Sequence, residues 1–391
     1  MLQKDNPTSS VLLRGNKRLT MLVLGTLSVL GLFLLTFSRQ WGINHCRTSG
    51  GLRTLNEAMA FTSSSFTSSS DDTRARFIDL NGLQATGQAK DNEEHVLILT
   101  PLKNAASYLP RYFELVDRMS YPKHLISLAF LVSDTTDDTV AILKEKAEQF
   151  TGNNNDPQQE RYHSISIFEK NFDFVLPEDR RHEFEMQPLR RSFMARSRNY
   201  LLSAALKDEH AWVLWLDVDV VEYPPTILED LQSVNVDVVV PNCLRETEDN
   251  SFWGYDKNNW QETKHSLEMQ KDLDPDYVLL EGYYEFLTGR YLMVDMPTHL
   301  GKLDKVPLDG VGATFTLVKA QVHREGANFP PYAFQHQVET EGFAKMAKAM
   351  GFGDKFKNYD KKNHRNKNHD DSGGHENEFI EEEYKEMVSS S

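Results

Sequence analysis

From Glu94 onward the chain alternates short, unbroken apolar runs with stretches whose apolar residues recur at helical spacing. His95-Val-Leu-Ile-Leu-Thr100-Pro101 holds the first run, Leu128 to Val132 the second, Ile165 to Phe168 the third and Trp212 to Leu216 the fourth. Runs this long without polar alternation predict strands buried on both faces, as in a parallel sheet. Between them, Pro110 to Met119 predicts a helix broken at Tyr121-Pro122, and Asp134 to Asp138 caps a second helix reaching about Phe150. Arg190 to Leu202 predicts a third helix, leading into the fourth strand. The repetition predicts an α/β domain, a mostly parallel sheet with helices on both faces that binds ligands at the carboxyl ends of its strands. The end of the first strand, at Thr100 and Pro101, is then a natural nucleotide seat.

The fourth run passes abruptly from apolar to acidic at Asp217-Val-Asp219, and Pro224-Pro225 bars its continuation. If the extended geometry persists, alternation sets Asp217 and Asp219 on one side about 7 Å apart, with room for a divalent cation between them. Nucleotide-sugar glycosyltransferases carry such an Asp-X-Asp. A plain solvated turn is one alternative. A phosphohydrolase of the haloacid-dehalogenase type is another, but there the strand opens the domain, whereas here about 120 residues of α/β pattern precede it.

Charge sharpens this picture. The chain has 391 residues, a formal net charge of -15 and a pI near 5.4, so nucleic acid is not its partner. Against that background Arg190, Arg191, Arg196 and Arg198 suggest a diphosphate clamp more than a solvated face. Further on, Asn258-Asn259-Trp260-Gln261-Glu262 offers the side chains that bind sugars, though a buried structural Trp fits equally. Glu281 beside Gly282 and Asp309 beside Gly310 are candidates for a sugar pocket or ordinary turns. His336, Glu339 and Glu341 head an amphipathic helix and either line a site or cap a surface helix. Two cysteines, Cys46 and Cys243, are too few for a disulfide framework.

The termini differ in kind. Leu19 to Phe37 is uncharged and apolar, about 28 Å long as a helix, and too long for a signal peptide. Lys4, Arg14, Lys17 and Arg18 precede it, which puts residues 1–18 in the cytosol and the remainder in a lumen. Residues 38–93, rich in Ser, Thr and Asp, read as a flexible stem, and residues 353–391 as a polar tail.

Several blocks now stand in order: His95 to Pro101, Arg190 to Leu202, Trp212 to Asp219, Asn259 to Glu262, Glu281 to Tyr283, Leu308 to Gly312 with Leu317 to Ala320, and Glu339 to Lys348. Across roughly residues 94–352 the chain resembles the fungal mannan polymerase subunits, Golgi type II membrane α-1,6-mannosyltransferases. The resemblance implies a GT-A-type glycosyltransferase domain behind an N-terminal transmembrane helix, GDP-mannose as donor, Mn²⁺ as cofactor and a mannan or N-glycan acceptor. It also implies assembly with homologous subunits. Donor and product are both α-linked, so the configuration is retained. Within that expectation Asp217 and Asp219 hold the metal; Thr100, Pro101, Arg190, Arg196 and Arg198 join them in binding the donor. Asp309 and Glu281 bind mannose or the acceptor hydroxyl. Family members end in a further apolar segment and a metal-holding His, whereas here Gly353 begins the polar tail, with His364 and His369 in a different context. A non-catalytic scaffold subunit of the same complex is the competing expectation.

Overall fold

A computed structural model of the chain describes residues 79–151, 161–177, 180–246, 252–296 and 305–353. The four apolar runs form β1 His95–Leu102, β2 Ile126–Val132, β3 Ser164–Glu169 and β4 His210–Leu216. Five short strands follow: β5 Val238–Val239, β6 Leu244–Glu246, β7 Phe252–Gly254, β8 Trp260–Gln261 and β9 Tyr291–Leu292. The last is β10 Phe315–Lys319. The helices are α1 Leu109–Asp117, α2 Thr139–Thr151, α3 Gln187–Ala205, α4 Ile227–Ser233, α5 Lys264–Gln270, α6 Ala320–Arg324 and α7 Glu339–Ala349.

The main sheet has the order β3-β2-β1-β4-β10-β5. Its first four strands run parallel, and β10 lies antiparallel between β4 and β5. The sequence reading contained no strand at 315–319, because Phe-Thr-Leu-Val-Lys is short and emerges from a glycine-rich stretch. Two smaller ladders, β6 with β7 and β8 with β9, stand apart from this sheet.

Side-chain alternation explains why the runs are unbroken. Ile98, Phe130, Trp212 and Leu214 face one side and pack on Phe113 and Val116 of α1 and Leu228 of α4. Leu99, Leu131, Val213 and Trp215 face the other and pack on Ala195 and Leu201 of α3 and Phe343 of α7. Each such side chain, once buried, contributes about 1.5–3 kcal/mol, so the central strands are apolar at nearly every position, and a buried exception such as Thr100 is hydrogen-bonded. The expected helices on both faces are therefore present.

The ordered domain reaches back before Glu94. Thr86 donates its N–H (3.0 Å) and hydroxyl (2.6 Å) to the Glu94 carboxylate, which also accepts from Trp212 Nε1 at 2.8 Å. Lys90 pairs with Glu229 at 3.0 Å. The last residues of the expected stem thus belong to the fold. The expected span 19–37, the tail beyond Gly353 and its His364 and His369 lie outside the described residues, among which no helix is long and apolar enough to cross a membrane.

Candidate active site

The winding of the sheet reverses between β1 and β4, which opens a crevice at their carboxyl ends. Asp217 stands at that point. The strand stops at Leu216, and Val218 and Asp219 form a turn, so strand alternation does not govern the two acids as expected. The turn is pinned instead by the Asp217 N–H, which donates to the Thr314 carbonyl at 3.0 Å just before β10. Asp219 is exposed, and the Asp217 side chain is 35% exposed. Desolvation pushes the Asp217 carboxyl up to about 6; Arg198 opposes this, and the charges of Asp219, Glu339 and Asp256 add to it. A group so crowded by like charge favours a cation.

The four arginines of α3 prove to be four different things. Arg198 is buried; its Nε donates to Glu339 Oε1 at 2.9 Å and its Nη2 to Asp217 Oδ1 at 3.4 Å. Arg191, seven residues earlier on the same helical face, is buried against Glu341 and donates to Asn258 Oδ1 at 3.2 Å. Arg196 is exposed and lies over the rings of Phe193 (4.7 Å) and Phe172 (5.1 Å). Arg190 is partly buried, and among the described residues its side chain meets only the Gln187 amide, at 3.3 Å, and no carboxylate. Burial, then the nearby Arg181, depress its proton affinity. The Glu339 charge opposes both.

One acid the sequence reading did not single out completes the group. Asp256 is buried, accepts from the Asn258 N–H at 3.0 Å and from the Thr314 side chain, and its pKa is raised chiefly by burial. Thr314 therefore touches both Asp217 and Asp256. A Cβ on Gly312 would stand 1.9 Å from Asp256 Oδ2, so glycine there is what lets the carboxylate in. The only sequence signal was the proximity of Asp256 to the amides Asn258 and Asn259. Among the described residues no three His, Cys, Asp or Glu side chains are grouped as a metal-binding set.

A family model described as Anp1 matches residues 74–333. The chain belongs to the Anp1 family. It is 41% identical over 265 residues to the mannan polymerase II complex anp1 subunit of Schizosaccharomyces pombe, covering 66% of this chain and 61% of that one. To the mannan polymerase II complex ANP1 subunit of Saccharomyces cerevisiae it is 37% identical over 281 residues, 71% of this chain and 56% of the relative. The chain thus spans somewhat over half the length of these two relatives. Among solved structures, the mannosyltransferase PcManGT of Pyrobaculum calidifontis, in complex with GDP-Man and Mn²⁺, aligns with a TM-score of 0.37 at 12% identity. That alignment covers 69% of this chain and 56% of the other. The expected resemblance to mannan polymerase subunits is borne out by the family match and these relatives.

In this Anp1-family chain the expected sugar-pocket residues serve a buried polar network beside the site. Trp260 is fully buried; Arg290 lies 3.6 Å from its ring centroid, and its Nε1 donates to Glu341 Oε1 at 2.8 Å. Trp260 is therefore a packing residue, with no ring face open to a sugar. Glu281 accepts from Arg290 Nη1 at 2.8 Å and from the Thr288 hydroxyl at 3.0 Å. Asp309 accepts from the Glu262 N–H at 2.7 Å and pairs with Lys348. The recorded contacts of Glu281 and Asp309 are thus with these neighbours. Thr100 is likewise engaged: its hydroxyl bonds the Tyr112 phenol at 2.9 Å in the core. Pro101 is partly exposed at the rim, where Asn104 and Asp134 take positive φ; Asn104 ties the loop after β1 to that after β2, and Asp134 ties the loop after β2 to that after β3. His336, at positive φ, bonds the Tyr277 carbonyl at 3.0 Å.

Proposed function

We propose that this chain transfers mannose from GDP-mannose to a mannan or N-glycan outer chain through an α-1,6 linkage with retention. It does so as one subunit of a mannan polymerase assembly with homologous subunits. The observation that carries this reading is the pair of acids Asp217 and Asp219 just past the carboxyl end of β4, at the crevice between β1 and β4, with Asp217 reached by Arg198 of α3. The relatives' names as mannan polymerase complex subunits supply the sugar and the assembly. The basic residues before the apolar segment 19–37 support a single-pass type II anchor in the Golgi membrane with the domain in the lumen.

The donor set suits a hard divalent cation such as Mn²⁺. Asp217 and Asp219 offer carboxylate oxygens, and among the strongest charges acting on Asp217 Arg198 is the one cation against the three acids Asp219, Glu339 and Asp256. The rest of the coordination falls to donor phosphates and water. When bound, the cation stabilises negative charge on the departing GDP. Arg190 donates to the diphosphate and orients it, and a partly buried guanidinium does this more strongly than an exposed one. Asp256 is the carboxylate assigned to the sugar hydroxyls; its oxygens are aimed by Asn258 and Thr314. A single inversion by a general base does not produce retention, so no residue here is given that role.

The test is extension of an α-1,6-mannobiose acceptor by the purified protein with GDP-mannose and Mn²⁺, read as added hexose by mass spectrometry. Chelator-sensitive extension is the expected result. Metal-dependent GDP binding without any product would make the chain the scaffold subunit, and loss of both would end the mannosyltransferase reading.

A further inference from the structure

Glu339 and Glu341 stand two residues apart at the start of α7, so an ideal helix would point them about 200° apart. Both nonetheless face α3, Glu339 to Arg198 and Glu341 to Arg191. Glu339 manages this at φ 54°, a left-handed conformation costly for a residue with a Cβ. The turn is held there from outside: the Glu339 N–H donates to the Pro330 carbonyl at 2.9 Å, and a Cβ on Gly342 would stand 2.4 Å from Pro330 Cγ. Strain maintained in this way implies that the direction of the Glu339 carboxylate matters. Its partner Arg198, 3% exposed in its side chain, lies between two carboxylates and takes the nearer one, Glu339 at 2.9 Å against Asp217 at 3.4 Å. One guanidinium nitrogen of Arg198, Nη1, is buried with no hydrogen-bond partner among the described residues.

We infer that Glu339 is a positioning residue that limits Arg198 to a single contact with Asp217, so that Asp217 keeps a carboxylate oxygen free for a divalent cation. This rests on the reading of Asp217 as a metal-holding group. Arg198 is an internal cation that already reaches Asp217 through Nη2, and a two-point pair is the geometry guanidinium and carboxylate favour. Glu339 occupies its Nε and so blocks the side-on arrangement through Nε and Nη2. Without the Glu339 charge, Arg198 closes on Asp217 and competes with any external metal.

The test is Mn²⁺ affinity, read from the free-ion electron paramagnetic resonance signal, for the full chain in detergent with and without GDP. Glu339→Gln is expected to weaken Mn²⁺ binding by about tenfold, the scale on which one close charge biases a carboxylate. Removing the competitor as well, in Glu339→Gln/Arg198→Met, is expected to bring affinity back to within about threefold of wild type. A purely structural or through-space Glu339 would instead cost the Arg198→Met background as much on Glu339→Gln as it costs the wild type, whereas the positioning role predicts that this loss vanishes there. Wild-type affinity in folded Glu339→Gln, or no recovery in the double variant, overturns the inference. Should Glu339→Gln not fold, Glu339→Asp, one methylene short of Arg198, is expected to lose about threefold; wild-type affinity there overturns it equally. Failure of the wild-type chain to bind Mn²⁺ even with GDP would instead sink the metal-dependent reading of the site.

Discussion

Replacing Arg290 by Met should cost more stability than any substitution at the acid turn. The Arg290 side chain has no solvent exposure, and it holds two carboxylates that are themselves 6% exposed, Glu281 at 2.8 Å and Glu262 at 3.2 Å. Glu262 keeps a second partner in Lys345 at 2.7 Å, but Glu281 would be left with the Thr288 hydroxyl alone. Stranding a buried charge costs about 3–5 kcal/mol, and the lost stacking on Trp260 adds about 1–2 kcal/mol. A loss of about 4–7 kcal/mol is a large part of the 5–15 kcal/mol typical of a domain, and at about 2 kcal/mol per molar it lowers the urea midpoint by about 2–3.5 M. Acid should expose the same network. Against desolvation, which would raise it, Arg290 and then Lys345 hold the Glu262 carboxyl down to about 2. Its folded-state value is below the unfolded one, so this stabilisation is complete above about 4.5 and is lost as the pH falls toward 2. In Arg290→Met the acid transition should begin at higher pH. Adding Glu281→Gln should recover part of the loss by removing the stranded charge. A midpoint within 0.5 M of wild type (about 1 kcal/mol), or no recovery on adding Glu281→Gln, would refute the buried-pair argument and return Glu281 to consideration as a reacting group.

Other outcomes follow from the site itself. Asp217→Ala/Asp219→Ala should abolish Mn²⁺-dependent GDP binding in calorimetry while the domain stays folded, since Arg198 retains Glu339; unchanged binding would remove both acids from the metal site. In the wild type that binding should weaken as the pH is lowered through about 6, where Asp217 takes up a proton, and full affinity at pH 5 would contradict its role. Arg190→Ala should weaken GDP binding by about ten- to a hundredfold, the loss of one charge-assisted contact, with no change in thermal midpoint because no ion pair is broken. Gly312→Ala should destabilise the domain by about 1–3 kcal/mol in urea titration, because its methyl meets Asp256. Protease added to sealed Golgi vesicles should spare everything after Gln40; digestion of the domain in intact vesicles would overturn the type II topology.

The sheet was legible where burial on both faces forces composition. β1, β2 and β4 have almost no position where a polar residue fits, so their apolar runs announce themselves. β10 was not legible, because only five residues take part and its antiparallel placement depends on partners far away in sequence. Helix α3 was found from its spacing, but its arginines look alike as letters. What separates Arg190 from Arg191 and Arg198 is a pair of glutamates some 140–150 residues later, turned toward them by an unusual backbone angle. Asp256 stayed hidden for the same reason: nothing local marks it, and its importance comes from Thr314 and Gly312 across the fold. Glu281 and Asp309 were attractive because acids beside glycine can approach a ligand. The structure instead gives that neighbourhood to Arg290 and Lys348.

The antiparallel seat of β10 also has a consequence for how the chain is made. β4 gains its neighbour on that side only through Phe315 to Lys319, about a hundred residues further along. At ordinary translation speeds of about 5–20 residues per second, that is about 5–20 seconds during which a wholly apolar strand has one open edge. The Asp217 turn waits equally long for Thr314 to fix it. The nascent domain therefore passes through a stage with its hydrophobic sheet assembled on one side and its acidic mouth unformed. A ribosome stalled before residue 315 would display a sticky, metal-incompetent intermediate, and substitutions that slow the closing of β10 should first lower yield by aggregation, before any defect is seen in the finished molecule.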